Sequence, residues 1–339
     1  MPSLNKNYTP PFTITSTAVS LVAEISLAVG RFSALAAESW ALRLRRVNRI
    51  RTIHGSLAIE GNTLSEEQIT AILDGKRVIA PPREVTEVRN AIKAYEQLVL
   101  WQPWCEDDLL AAHAIIMNGL LDAPGHFRSG GVGVMAGKEI VHLAPPAKRV
   151  RPLMSDLLLW LETTTDHPLI AGSVFHYEFE FIHPFDDGNG RIGRLWQTLI
   201  LSGWNPLFAH IPVESLVHEH QQQYYAALQD STRQADSAPF IEFMLNMVLK
   251  AVSLIETPQV TPQVTPQVER LLKVLVGEMS RESLQSALGL QDRKSFRELY
   301  LNPALTNGFI EMTIPDKPNS RLQRYRLTVE TRIVLQTPR

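Results

Sequence analysis

Residues His183–Arg194 read HPFDDGNGRIGR, and this short run holds a histidine, two adjacent carboxylates, a Gly-Asn-Gly turn and two arginines. Each type brings its own chemistry. A carboxylate suits Mg²⁺, which takes one or two protein carboxylates and fills its shell with phosphate oxygens and water. Glycines let backbone amides approach a phosphate closely, arginine forks match phosphate oxygens bidentately, and a histidine can move a proton. The turn Gly188, Asn189, Gly190 lies between an apolar helical segment, 170–181, and a second helical pattern over 191–201. Its amides therefore converge at a helix N-terminus, a ready anion cradle. Arg191 and Arg194, three apart, are placed to face the same way. The stretch predicts a triphosphate site between two helices.

Outward from this run the chain is dominated by helix. From Ser16 to about Gln97 apolar residues recur every three or four positions, through Leu21, Ile25, Val29, Leu35, Leu42, Val47 and Ile50. Within that region SLAIEGN, Ser56–Asn62, should end one helix, and Ser65 with Gln68 has the spacing of a capping box opening the next. Residues 105–121 again have helical spacing. GHFRSGGVGVMAGKEIVHLAPP, Gly125–Pro146, alternates, is glycine-rich and reads as a short hairpin. Helices are expected over about 150–161, 218–228 and 240–255. TPQV then repeats three times over 257–268, and a proline every fourth residue excludes continuous helix. Beyond it, 268–276, 281–288 and 293–305 suggest three short helices, followed by two strands in GFIEMTIP and SRLQRYRLT. That order is the pattern of a winged helix.

Composition narrows the function classes. The chain of 339 residues is long enough for two or three units, and its 33 Lys+Arg against 35 Asp+Glu give no overall bias toward nucleic acid or membrane. A single cysteine, Cys105, excludes an internal disulfide framework or a cysteine metal cluster. The opening MPSLNKNYTPPFTIT lacks the pattern of a secretory signal and no apolar run reaches membrane-spanning length, so a cytoplasmic protein with no membrane partner is the expectation.

The motif resembles the signature of the Fic family of nucleotidyl transferases, His-x-Phe-x-[Asp/Glu]-Gly-Asn-Gly-Arg-x-x-Arg, and every defined position matches. The similarity extends over roughly Asn48 to Leu245 and, with the C-terminal module, to bacterial Fic proteins that carry a winged helix. The resemblance implies a mainly α fold: an all-helical Fic core with a small β-hairpin flap, plus a C-terminal winged-helix domain. The domains would be an N-terminal helical region with an inhibitory helix, 1–100; the catalytic core, 101–256; the TPQV linker, 257–268; and the winged-helix-like domain, 269–339. It implies a protein adenylyltransferase that moves AMP from ATP, with Mg²⁺, to a Tyr, Ser or Thr hydroxyl of a target protein, or to itself. His183 would be the general base, Phe185 an anchor in the core, and Asp187 the Mg²⁺ ligand, with Asp186 at a variable position. Gly188, Asn189 and Gly190 would form the anion hole, followed by Arg191 on the β-phosphate, Ile192 and Gly193 along the nucleotide-binding helix, and Arg194 on the γ-phosphate. Glycine at 190, where the phosphorylating Doc branch carries lysine, favours nucleotidyl transfer.

SLAIEGN resembles the family's inhibitory motif, [Ser/Thr]-x-x-x-Glu-[Gly/Asn], so Ser56 and Glu60 are the implied inhibitory pair, with Glu60 reaching Arg194. In some relatives the same glutamate removes AMP from a modified target, which leaves a deAMPylase as one alternative. The flap would hold the target segment against Ile140, Val141, His142 and Leu143 as an added strand. Tyr224 and Tyr225 match paired tyrosines that flank the adenine, while Thr232 stands where some relatives carry an asparagine. Residues 269–339 carry 12 Lys+Arg against 8 Asp+Glu, a weak nucleic-acid signal. Duplex DNA at this module and a second copy of the chain are accordingly further candidate partners, and a nucleotide-sensing DNA-binding regulator is the rival class.

Overall fold

A computed structural model describes residues 8–35, 38–131, 133–136, 139–256, 266–306, 308–314, 320–328 and 331; the TPQV repeats up to residue 265 lie outside them. The first helices are α1 (Ser16–Leu35), α2 (Glu38–Ile59), α3 (Glu66–Leu73), α4 (Pro82–Gln97) and α5 (Glu106–Ile116). Strands β1 (Gly133–Ala136) and β2 (Glu139–Leu143) form an antiparallel hairpin, followed by α6 (Ala147–Thr163), α7 (Pro168–Ile182), α8 (Asn189–Trp204), α9 (Val213–Glu219), α10 (Gln221–Gln234) and α11 (Ala238–Glu256). The described residues fall into two compact units, Met1–Gly30 with Asn48–Glu256, and Arg31–Val47 with Thr257–Arg339.

The centre of the first unit is the α7–α8 pair. Helix α7 is apolar almost all round and buried from Leu169 to Phe179, as expected of a helix enclosed by others. On α8 the residues from Arg191 to Leu201 are all buried, with Trp196 inaccessible. Pro168 opens α7 at its first position, where its missing N–H costs nothing, and the His167 side chain accepts from the Leu169 amide. The two helices meet at the turn 183–188, so the motif's position in the sequence puts it at one end of the core. Helix α3 opens with the expected capping box: the Ser65 hydroxyl accepts from the Gln68 amide and the Gln68 side chain from the Ser65 amide. In place of one helix over 218–228 there are two, because α9 ends at Glu219 and α10 starts afresh at Gln221.

Residues 48–59 of α2 are tied to the segment 210–221. Asn48 Nδ2 donates to the His210 carbonyl at 2.8 Å, Ser215 Oγ to the Arg51 carbonyl at 2.9 Å, and Gln221 Nε2 to the Ile59 carbonyl at 2.9 Å. The last bond satisfies a carbonyl that the helix end leaves open. Gly55 lets the backbones touch, since a Cβ there would stand 2.6 Å from Ser215 N and 2.7 Å from the Glu214 carbonyl carbon.

The second unit contains α12 (Pro266–Val274), β3 (Met279–Ser280), α13 (Arg281–Ala287), α14 (Arg293–Phe296), a π turn (Arg297–Leu301), α15 (Asn302–Thr306), β4 (Ile310–Met312) and β5 (Arg324–Leu327). Its own core gathers Leu271, Leu284, Phe296, Tyr300, Ile310 and Tyr325. The strands are three, not the two expected, in the antiparallel order β3-β5-β4. β3 is two residues long, paired through Met279 with Tyr325, and so short a strand leaves no alternation to read. Among the described residues no helix is long and apolar enough to cross a membrane.

Gly55→Ala should destabilise the first unit by about 1–3 kcal/mol, because backbone cannot yield as a side chain does. Gly203→Ala, on the exposed end of α8 where a Cβ meets nothing within 4 Å, should be neutral or stabilising by up to about 1 kcal/mol. Urea unfolding of the two variants checks the contrast; equal effects would contradict the close approach at Gly55.

Candidate active site

The turn between α7 and α8 is built around one ring. Phe185 is fully buried and stacks on His113 with centroids 3.7 Å apart and planes 4° apart, with Phe127 and Phe179 around it. The Asn189 side chain closes the turn by accepting from the Phe185 amide (2.9 Å) and donating to the Phe185 carbonyl (2.8 Å). His113 reads the same turn from α5. Its Nδ1 accepts from the Gly125 amide at 2.8 Å, which leaves Nε2 as the donor to the Asp187 carbonyl at 3.0 Å. Burial pushes its pKa down to about 4, so the ring stays neutral. Gly188 has φ 83°, and a Cβ there would lie 2.7 Å from Met117 Sδ, so both conformation and space demand glycine.

His183 terminates α7 in the left-handed region, φ 50° and ψ 63°, its amide bonded to the Phe179 carbonyl at 2.9 Å. This conformation is uncommon for a non-glycine residue and clusters at functional sites. The imidazole is partly exposed, with Nδ1 4.0 Å from Glu180 Oε2.

The two arginines, expected to face one ligand together, are held by different acids. Arg194 is buried; Nη2 donates to Glu60 Oε1 at 2.6 Å and to the Ser56 carbonyl at 3.0 Å, and Nε to Ser56 Oγ at 3.2 Å. Burial works against its charge, but Glu60, then Tyr224 and Glu180, raise its basicity above the usual guanidinium range. The Glu60 carboxylate stands over the turn, 2.5 Å from where a Cβ on Gly190 would be. Arg191, also buried, lies 3.2 Å from Asp187 Oδ1 and 3.6 Å from Glu87 Oε1. Arg83 joins the same two acids at 3.5 and 3.4 Å. Ile192 is fully buried, so it serves the core and offers a ligand only main chain. A Cβ on Gly193 would lie 2.9 Å from Glu180 Oε1 and 3.0 Å from His176 Cδ2.

The Asp187 side chain is 40% exposed, with Oδ1 accepting from the Gly188 amide at 2.6 Å and facing Arg191, and Oδ2 facing Arg83. Among the described residues no group of three or more His, Cys, Asp or Glu could hold a metal. A lone carboxylate is chemically compatible only with a hard cation that draws the rest of its shell from phosphate oxygens and water. Asp186 is exposed.

At the other end the tyrosine pair divides. Tyr224 is buried, its hydroxyl 3.1 Å from His176 Nε2, while Nδ1 of that ring lies 2.7 Å from Gln197 Oε1. Burial takes His176 down to about 3, so it too is neutral. Tyr225 is 42% exposed and alone of the two presents a ring surface. Its hydroxyl accepts from Gln221, the residue that also bonds Ile59 of α2. Thr232 is occupied by the Tyr177 hydroxyl and the Leu228 carbonyl. In the hairpin Gly133 pairs with Leu143 and Met135 with Ile140, with an irregularity between Val134 and Met135. Among the described residues β2 pairs only with β1; the side chains of Ile140, Val141, His142 and Leu143 lie outside the described part.

Several participants have no counterpart in the sequence reading. Arg128 is 3% exposed and donates to four carbonyls around the His183 turn and the hairpin. Glu87 and Arg83 flank Asp187 and Arg191 from α4. The spacing of Arg83 and Glu87 on one helix face is visible in the sequence, but their meeting with the turn is not. His113 lies on the buried stripe of α5 with Leu109, Ala112 and Ile116, a pattern that points to burial without naming a partner.

Comparison with known proteins agrees with this architecture. Residues 103–201 match the Fic/DOC family, and residues 266–328 match the domain described as "Filamentation induced by cAMP protein Fic-like, C-terminal domain". The chain is 29% identical over 222 residues to "Protein adenylyltransferase fic-1" of Caenorhabditis elegans, and 30% identical over 216 residues to the protein of the same name in Caenorhabditis briggsae. Each match takes in 60% of this chain and 40% of the relative, so the chain spans about two fifths of the length of these curated relatives. A solved Fic family protein from Desulfovibrio desulfuricans G20 is 54% identical, with 95% of this chain and 99% of that chain covered and a TM-score of 0.74. Fic-1 of C. elegans, residues 134 to 508, shares the fold at 24% identity and a TM-score of 0.60, over 72% of this chain and 73% of that one.

Glu180 lies among these groups with one oxygen, Oε1, that has no hydrogen-bond partner among the described residues. Burial, only partly offset by Arg194 and reinforced by Glu60, raises its pKa from 4.5 to about 7. A carboxyl raised in the folded state contributes most below its unfolded value near 4.5, and that contribution is lost as pH rises through about 7. Glu180→Gln mimics the protonated form, so its stability relative to the parent should be about 2–3 kcal/mol greater at pH 8 than at pH 5. Urea midpoints at the two pH values measure this; the same difference at both would contradict a protonated Glu180.

Proposed function

The chain belongs to the Fic family, and on that footing we propose that it is a protein adenylyltransferase that moves AMP from ATP to a Tyr, Ser or Thr hydroxyl of a target protein and that Glu60 holds it inactive. One observation carries the reading: the Glu60 carboxylate occupies Arg194 at 2.6 Å directly over Gly190, where a phosphate would be received. An acid that fills an anion cradle from inside the chain competes with the polyphosphate for the same cation.

With Glu60 displaced, the amides at the start of α8 face the phosphates, Arg194 receives the γ-phosphate and Arg191 the β-phosphate. Asp187 is the carboxylate that would hold Mg²⁺, whose charge offsets that of the phosphate oxygens. His183 takes the proton of the target hydroxyl as that oxygen forms its bond to the α-phosphorus. The bond from the α-phosphorus to the bridging oxygen breaks, pyrophosphate leaves with the electron pair, and AMP remains on the target. Tyr225 offers the adenine a ring face, and β2 offers the target segment a strand edge.

We assign the inhibitory helix to an N-terminal region of about residues 1–100, catalysis to 101–256 and a separate winged-helix-like module to 269–339. In that module Arg326 is bound to Glu311 at 2.6 Å and to Glu278 at 3.2 Å. These pairings engage one of the cations on which a DNA surface would draw.

Mass spectrometry after incubation with Mg²⁺ and ATP tests the reading. The Glu60→Gly protein should acquire AMP on itself about tenfold or more faster than the parent, a change of 1.4 kcal/mol or more in barrier, and adding His183→Ala should abolish the adduct. No adduct from Glu60→Gly would refute the transferase reading, and equal rates with and without Glu60 would refute inhibition.

A further inference from the structure

The proposed transfer needs two parts that are distant in sequence: the base at His183 and the strand edge that presents the acceptor, β2. Arg128 bonds the backbone of the first and the chain just outside the hairpin that carries the second. Its Nε donates to the His183 carbonyl at 2.7 Å and Nη2 to the Ile182 carbonyl at 3.3 Å. Nη1 donates to the Gly130 carbonyl at 2.8 Å, and Nη2 also to the Pro145 carbonyl at 2.5 Å. Its backbone amide adds a bond to the Pro184 carbonyl at 2.9 Å. Gly130 stands three residues before β1 and Pro145 two residues after β2, so the guanidinium holds both feet of the hairpin and the end of α7 at once.

The chemistry of these bonds selects arginine. The Ile182 and His183 carbonyls are among those left open at the C-terminus of α7, where the helix dipole also favours a cation. Four carbonyls in different directions require a planar fork with five N–H donors, and a lysine has three on a point charge. The Nε bond falls on the one non-glycine residue of the turn with a left-handed backbone, His183, so it also fixes the peptide that aims the imidazole. The nucleotide cradle lies on the far side of that residue, at the start of α8, with its own supports in Asn189, Phe185 and His113.

We infer that Arg128 is a positioning residue for AMP transfer, setting the acceptor-binding flap against His183 while leaving nucleotide binding to other residues. The inference rests on the adenylyltransferase reading above. It is tested by introducing Arg128→Lys and Arg128→Met into the Glu60→Gly protein. ATP affinity is measured by calorimetry, the self-modification rate by mass spectrometry and folding by circular dichroism. ATP affinity should stay within about twofold, while transfer falls about tenfold for lysine and about a hundredfold for methionine, the scale expected when reacting groups are misplaced by about an ångström. Unchanged transfer in a variant that binds ATP would overturn the inference. So would a loss of ATP affinity parallel to the loss of rate, because Arg128 would then merely hold the fold together. No transfer from the Glu60→Gly protein with Arg128 intact would overturn the adenylyltransferase reading itself, and this inference with it.

Discussion

Arg194 is a guanidinium buried to 3% exposure, and a buried cation requires an anion. Removing the partner of such a pair leaves an uncompensated charge that costs about 3–5 kcal/mol. In this chain the anion is Glu60, supplied by the end of α2, with the Ser56 hydroxyl and carbonyl completing the shell. The neighbouring features follow from that requirement. Gly190 leaves room for the carboxylate, and Gly55 lets α2 come close enough to deliver it. Gln221 secures the last turn of the helix through Ile59. Glu60 is 31% exposed, so it alone of the pair is open to displacement from solvent. A bound polyphosphate would answer the same electrostatic need, so under the proposed function Glu60 and substrate are two solutions to one constraint.

A second layer holds the geometry of the turn. Its backbone departs from helix at His183 and resumes at Asn189, and the departure is fixed by buried groups: Phe185 on His113, Asn189 on the Phe185 peptide, and Arg128 on the carbonyls of Ile182 and His183. His113 does this work as a neutral ring, because burial holds it deprotonated. The turn is thus held by buried groups on both sides of His183, whereas Glu60 is 31% exposed.

The turn and the position of Glu60 beside it are legible in the sequence because both depend on local order. HPFDDGNGRIGR holds the turn and its two arginines within twelve residues, and the Ser65–Gln68 box marks the boundary that leaves Glu60 just past the end of α2. What could not be read depends on distance or on helix phase. Tyr224 and Tyr225 look equivalent side by side, yet neighbours on a helix point about 100° apart, and one is buried on His176 while the other is exposed. Arg128 has no spacing pattern at all, because its four acceptors are main-chain carbonyls that any residue supplies. The separate pairing of Arg191, with Asp187 and Glu87, needs α4 brought alongside, and the two-residue β3 exists only because β5 is there to pair with it.

The central claim is that Glu60 and the γ-phosphate compete for Arg194, and the most direct measurement is calorimetric binding of ATP and of AMP to the parent and Glu60→Gly proteins. AMP lacks the γ-phosphate and serves as its own control. ATP should bind about tenfold or more tightly once Glu60 is gone, a gain of about 1.4 kcal/mol, with AMP affinity essentially unchanged. Equal tightening of both nucleotides, or of neither, would contradict the competition.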